Sequence, residues 1–486
     1  MSNALPLLVT LPVAAAVLPP VLARRFDGVG WPIAAAASVA QVALAAWVAW
    51  SVAVEGPMRL VVGGLPATIG IELAADRLSV AFLLLVALAG LWGLAYTRRG
   101  GPRSATGYTL YLLLLAGLTG ICLTRDVFNL YVFLEVSGLS AYALVAIGDD
   151  ADAAPAALHY LLVGTVGASL YLLGIGYLYL GTGTLNMAAL AEQLRTVGYD
   201  GRLATAAFGL IVVGLGVKVA LFPVHTWKPD AYRAAPAGIT AVLAALVSTV
   251  AAYALLRLLL SVFTPAFFAA NPVLAGALEA AAVVSIVAGT LLALLQDDVR
   301  RMLAYSSVSQ FGIAVGGFAL GTRLGLVGGA VHLLGHAVMK SGAFAATGVV
   351  EATYDASTVD EFAGAAERVP VTSGAFAVLA FGLVGLPPLV GFFGKWYVAL
   401  ASVRAGSWVL AAAVLASTAL SLTYFARVVQ RLYFERRDGD GRADPSAASP
   451  GMVASGVLAA LVALGLGLAS ATLVDLLLPA IGGGLP

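Results

Sequence analysis

The sequence predicts an all-α membrane protein of about fourteen transmembrane helices, and three observations predict it. Of 486 residues, 61% are hydrophobic and only 10% are charged, where a soluble chain of this size carries about 25% charge. Mean hydropathy is +0.98. Apolar runs of about 20 residues, the length that crosses a hydrocarbon core, recur along the whole chain. Lipid can solvate such a surface; water cannot.

Taken in order, the runs are 4–23, 30–54, 78–97, 108–124, 127–147, 157–181, 204–222, 236–260, 272–294, 302–320, 325–349, 371–393, 406–430 and 452–478. Met1–Ala23 has no basic flank and no clear cleavage site, so it reads as the first span and not as a leader. The Ala-rich runs 30–54 and 406–430 are long enough to cross with tilt. The longest hydrophilic stretch, Glu435–Pro450, is too short to be a domain. The expected organisation is 1–107 for helices 1–3, 108–261 for helices 4–8, 262–434 for helices 9–13, and 435–486 for a loop and helix 14.

If the spans alternate, Arg24/Arg25, Arg98, Arg99 and Arg103, Lys228/Arg233, Arg300/Arg301 and the Arg431–Arg442 segment share one side. Arg125, Arg195, Arg202 and Arg323 lie opposite. The excess of cations marks the cytoplasm, which puts both termini outside a prokaryotic cell membrane. The stretch Glu351–Glu367 is acidic and falls inside, but carboxylates weigh little in this rule.

Composition also excludes. A net charge of +1 leaves no footprint for nucleic acid. The single Cys122 supports neither a disulfide framework nor a cysteine metal site, and no glycine-rich phosphate loop follows a strand pattern. No cofactor is expected. With no soluble catalytic module, the chain acts within the membrane or through partner chains.

What stands out is where the lysines are. There are four, and Lys218, Lys340 and Lys395 fall in or beside apolar spans, where a charge costs about 2.5–3.5 kcal/mol. A buried lysine can release a proton and an arginine cannot, so this placement favours proton handling. Glu135 sits mid-span and needs a cation or a proton, with Lys218 as its natural partner. An inert pair that fixes helix packing is the structural alternative. His332, His336 and Lys340 recur every fourth residue and form one polar stripe on a helix. Histidine titrates near neutral pH and can shuttle protons; hydrogen-bonded histidines joining helices are the alternative. Lys340 beside them and the lack of a third ligand argue against metal. Ser306, Ser307, Ser309, Gln310 and Glu279 are polar residues in spans that could hydrate a channel or bond across helices.

Pro223 follows Lys218, and Pro387-Pro388 precede Lys395. Each proline removes a backbone hydrogen bond and breaks its helix. Broken helices in corresponding positions of two repeats mark ion pathways in transporters. Spans 4–8 and 9–13 each carry such a break, with a lysine near it, in their fourth helix.

Together these motifs resemble a known family. Arg125-Asp-Val-Phe-Asn-Leu-Tyr-Val-Phe-Leu-Glu135, Phe222-Pro-Val-His-Thr-Trp-Lys-Pro-Asp230 to Pro236, Tyr305-Ser-Ser-Val-Ser-Gln310, His332-Leu-Leu-Gly-His336-Ala-Val-Met-Lys340 and Gly385-Leu-Pro-Pro388 to Lys395-Trp396 are similar to motifs of the antiporter-like subunits of complex I and Mrp-type cation/proton antiporters. The likeness runs from about residue 70 to 435. Gly63-Gly-Leu-Pro66 to Asp76-Arg-Leu-Ser79 and Gly181–Met187 look most like the D-type component of Mrp antiporters. The resemblance implies fourteen helices with two inverted five-helix repeats. It implies that Glu135 and Lys218 form the first-half pair, that Lys395 is the terminal lysine, and that His332, His336 and Lys340 lie on the axis between halves. One position departs from the family pattern. Thr249, in Leu246-Val-Ser-Thr249, stands where relatives carry a lysine. A threonine can hold water but not the charge, so either the relay runs from Lys218 through ordered water to His332, or this chain is altered in coupling or serves a different complex.

The function implied is proton translocation in a multi-subunit Mrp-type exchanger of protons for a monovalent cation, sodium being the expected one. The alternative is a proton-pumping subunit of complex I or a membrane-bound hydrogenase, powered by electron transfer in partner chains. A membrane scaffold with little conduction of its own is a third reading. The expected partners are other membrane subunits, protons, sodium and the lipid bilayer.

Overall fold

The computed structural model describes residues 3–64, 70–101, 104–435 and 448–481. Pro66, Arg103 and Arg442, with most of the hydrophilic stretch before Pro450, lie outside the described residues. The chain opens with α1 (Ala4–Leu22) and α2 (Gly30–Glu55). An antiparallel hairpin follows, β1 (Met58–Val61) on β2 (Glu72–Ala75), and then α3 (Arg77–Gly100). Next come α4 (Ala105–Leu123), α5 (Val127–Ala146), α6 (Ala153–Thr182), a short amphipathic α7 (Met187–Val197), α8 (Arg202–Val219), α9 (Trp227–Ala234) and α10 (Ala237–Ser261). The second half holds α11 (Pro265–Ala270), α12 (Pro272–Leu294), α13 (Val299–Ala319), α14 (Arg323–Tyr354), α15 (Pro370–Val384), α16 (Val390–Arg404) and α17 (Trp408–Phe434). α18 (Pro450–Leu468) and α19 (Ser470–Ile481) end it.

Every predicted span contains a helix, but not every helix crosses alone. Among the described residues twelve are long and apolar enough to span, or thirteen if the sharply bent pair of 360–367 and α15 is one span. The difference from fourteen has two causes. α13 carries Arg300, Arg301 and a Ser/Gln cluster, which lower its hydropathy, and the run 371–393 is split between α15 and α16. The hairpin is an addition to the all-helical expectation. Its four-residue strands are too short for an alternating pattern to announce them.

Helix starts follow local chemistry. Ser104, Asp126, Asn186, Asp298, Thr322 and Ser449 each cap a helix by accepting from a backbone N–H of the first turn. Asp76 caps α3 in the same way through Ser79 N, at 2.8 Å. It also accepts from Arg257 of α10 at 2.7 and 2.8 Å and from Arg125, before α5, at 3.2 Å. Three segments meet on one carboxylate. Burial alone would raise the Asp76 carboxyl, but Arg257 and Arg125 outweigh that and hold it well below the usual carboxylate range. At the other end of the bundle lies a belt of ion pairs: Arg233 with Asp152 and Asp298, Arg300 with Glu351, Arg301 with Asp230, and Arg427 with Asp297.

Two helices form the centre. The most apolar stretch of α10 is buried in full and that of α14 nearly so, whereas α1, α2 and α18 leave most of theirs open, as a lipid-facing rim does. α14 has 32 residues and spans about 48 Å. It carries α16 at very short range: a β-carbon at Gly394 would lie 2.6 Å from the His332 Cα. Neither backbone can give way cheaply there.

Two outcomes follow for thermal unfolding in detergent. Gly394→Ala should cost about 1–3 kcal/mol by forcing α16 off α14. Asp76→Ala should cost about 3 kcal/mol by stranding buried arginines. A depressed carboxyl contributes stability above its unfolded value of about 4 and loses it only as pH falls through the folded value. The Asp76→Ala loss should therefore be equal at pH 5 and pH 8, and a loss that shrinks at pH 5 would contradict this assignment.

Candidate functional site

Glu135 lies mid-way along α5 and Lys218 in the last turn of α8. Lys218 Nζ donates to Glu135 Oε1 at 3.1 Å and to Tyr142 Oη at 2.7 Å. Gly138, one turn beyond Glu135, makes room for this, because a β-carbon there would be 2.7 Å from Nζ. Tyr142 is braced edge-on by Tyr160 at 4.4 Å, and Tyr160 stacks on Trp227 at 3.8 Å. The pair is asymmetric in exposure: the Lys218 side chain is 5% exposed and that of Glu135 20%.

The two expected helix breaks fall just past the ends of helices. α8 stops at Val219, Ala220 takes a left-handed conformation (φ 65°), and Pro223 sits in the link to α9. α15 stops at Val384, Gly385 turns the chain (φ 101°), and Pro387 and Pro388 lead into α16. A helix end leaves its last carbonyls without intrahelical donors, and inside a bilayer they must find others. After α8, Trp227 Nε1 donates to Val217 O at 2.9 Å and Lys228 Nζ to Val219 O at 3.3 Å. After α15, Lys395 Nζ donates to Leu383 O at 3.0 Å and to Val384 O at 2.9 Å. Each break is closed by a lysine.

This corrects one expectation. Its sequence neighbours Asp230 and Arg233 group Lys228 with the rim cations. In the structure Asp230 and Arg233 do reach the ion-pair belt, but the Lys228 side chain points the other way and is fully buried. His225, in the same link, is also buried, and its Nδ1 makes no hydrogen bond of ordinary geometry among the described residues. Sequence reasoning misses both. The signal available is the break itself, whose carbonyls require a donor.

On α14, Lys340 donates to Leu303 O of α13 at 2.7 Å and closely to Ser306 Oγ. The rings of His332 and His336 are 6.4 Å apart. Neither ring makes a hydrogen bond of ordinary geometry, although His332 approaches the Gln310 backbone. Ser309 exchanges a 2.7 Å bond with Thr290. On α10, Ser248 donates to Lys218 O at 2.9 Å, while the buried Thr249 Oγ1 has no partner among the described residues. Buried polar atoms are normally satisfied, so four side chains with open valences among the described residues of two adjoining central helices, Thr249 on α10 and His332, His336 and Thr347 on α14, form an unusual polar interior. Among the ion pairs of the described residues, Lys218 is the only lysine that meets a carboxylate. Glu279 is not part of this group; it accepts from Ser407 beyond the end of α16.

Comparison with known proteins gives a consistent picture. The chain is 45% identical over 384 residues to the N-type subunit of NADH-quinone oxidoreductase from Desulforudis audaxviator, covering 78% of this chain and 76% of the relative. It is 31% identical over 396 residues to the D-type subunit of the Na(+)/H(+) antiporter from Bacillus subtilis, covering 81% and 79%. Its fold matches a chain in the structure of the membrane-bound sulfane sulfur reductase, an archaeal respiratory membrane complex, with a TM-score of 0.90, 30% identity and coverage of 99% and 97%. A family model matches residues 124–421, and the chain belongs to the NADH:quinone oxidoreductase/Mrp antiporter transmembrane family.

Proposed function

We propose that this chain is a proton-translocating subunit of a multi-subunit, redox-driven membrane complex of the complex I type. The observation that carries the reading is the succession of buried ionisable groups, Glu135–Lys218, His332, His336, Lys340 and Lys395, set beside two helix breaks in a lipid-soluble chain. The likeness to the oxidoreductase subunit exceeds that to the antiporter subunit, 45% against 31% identity. That difference puts the redox-driven reading ahead of the sodium/proton antiporter expected from the motifs. The antiporter remains the second reading, because its relative aligns over 81% of the chain.

Electron transfer would take place in partner chains, since a cysteine-ligated iron–sulfur cluster needs four cysteines and this chain has one. Partner subunits are also favoured by Glu135, whose side chain is 20% exposed at mid-span. A carboxylate open to lipid is costly, and a neighbouring subunit would cover it. The two breaks, each closed by a lysine, support the division into repeats at 108–261 and 262–434. The ion-pair belt gathers the loop arginines at one end, which supports a cytoplasmic belt with both termini outside.

In this mechanism a proton reaching Glu135 neutralises it and releases Lys218 from its counter-ion. The unpaired charge on Lys218 then disfavours charge on the next group, and the proton load moves towards Lys395. Thr249 holds water beside the path and carries no charge.

The test uses the whole assembly in vesicles with a trapped pH-sensitive dye. NADH with a quinone should drive proton movement, and an imposed sodium gradient should not. The reverse result would favour the antiporter. Glu135→Ala and Lys218→Ala should each slow proton movement by about tenfold or more. Wild-type rates in both variants would overturn the relay.

A further inference from the structure

Lys228 has a place in the molecule that its closing of a helix break does not explain. It is fully buried, and its ammonium makes one hydrogen bond among the described residues, the 3.3 Å contact to Val219 O, with no carboxylate of those residues within ion-pair distance. Three aromatic rings surround its ammonium: Trp227 at 5.7 Å, Tyr232 at 5.5 Å and Phe311 at 4.3 Å. Rings attract a cation through their quadrupoles but offer no counter-charge and accept no proton. A lysine needed only to satisfy one carbonyl could be replaced by any neutral donor, at far smaller desolvation cost.

The position of Phe311 gives the arrangement direction. Lys228 lies over its ring at 4.3 Å, and the His336 ring meets it edge-on at 4.8 Å. One phenyl ring is thus in contact both with the lysine that follows the first break and with an imidazole of α14 whose two nitrogens are both without partners among the described residues. On its other side, Val219 is the residue after Lys218, and Trp227 leads through Tyr160 to Tyr142, the tyrosine bonded to Lys218. Ser248 of α10, which bonds to Lys218 O, and Thr249 next to it in the chain cannot carry a charge.

We infer that Lys228 is the proton carrier between the two halves, taking a proton from the Lys218 side and passing it to His336 when Phe311 turns aside. The transfer converts the Lys228 ammonium to an amine and the His336 imidazole to imidazolium, with one water at the ring edge as the bridge, so charge is conserved. This rests on the proton-translocating reading above, but not on which energy source drives it.

The experiment is proton movement by the whole assembly in vesicles, driven by whichever source works in the wild type, with Lys228→Met and Lys228→Arg. Methionine fills the ring-lined site with a similar apolar shape, so assembly should survive. Arginine keeps the charge but cannot release a proton. Both variants should lose at least about tenfold in rate while assembling with their partners. Near-wild-type rates in Lys228→Met would overturn the proposal, and so would near-wild-type rates in Lys228→Arg, which would make Lys228 a fixed charge that positions its neighbours. If methionine prevents assembly, the arginine variant decides. Lys218→Ala is measured in parallel: its loss alone, with Lys228→Met intact, rejects this link and keeps the relay, whereas full activity in Lys218→Ala rejects the relay itself.

Discussion

A carbonyl inside a bilayer has to find a donor, and the two broken helices of this fold leave carbonyls open in its interior. At the ends of α8 and α15 the backbone turns out of helix, and lysine ammonium groups close the open valences. The bond binds both participants. The broken helix needs the lysine to remain dry, and the lysine needs the carbonyl because no carboxylate of the described residues pairs with it. A hydrogen bond to a neutral carbonyl compensates a buried charge only in part. The same contact that completes the backbone therefore leaves a buried ammonium only partly compensated, and the rest of the polar interior is arranged around it.

Much of this is legible in the sequence. Pro223, Pro387 and Pro388 locate the two breaks to within a few residues, because proline removes a donor wherever it stands. Asp76, Asp126, Asp298 and Thr322 stand immediately before apolar periods and act as caps. The pairing of Glu135 with Lys218 follows from the need of a lone mid-span carboxylate. Hydropathy is less reliable where function intrudes: α13 is a buried helix with the polarity of a loop, because Arg300 and Arg301 join the ion-pair belt and Ser306 serves Lys340.

Lys228 is illegible for a different reason. Its neighbours Asp230 and Arg233 turn outward to ion pairs while Lys228 turns inward, and a helix as short as α9 that faces both ways has no pattern to read. What covers it is Phe311, far along the chain on α13. Burial by a distant element is a tertiary fact. Only the demand of the broken backbone, that some donor reach Val219 O, is present locally, and it does not say which residue answers.

The distribution of partners along the interior gives the site its asymmetry. Lys218 has a carboxylate and a phenol; Lys340 has a carbonyl and a hydroxyl; Lys395 has two carbonyls. The one negative charge in the series stands at the end where the side chain is still partly exposed. Were every lysine paired with a carboxylate, each charge would be fixed and a proton arriving at one would leave the next unmoved. In the proposed relay, with a single pair, the charge state of Glu135 would be the local switch, and the lysines beyond it would answer by mutual repulsion through a medium of low dielectric, where such repulsion is strong. In that relay a proton bound at one end would be felt at the other without any large movement of the helices that carry the groups, and the close contact of α14 with α16 at Gly394, which resists displacement, fits that mode of action.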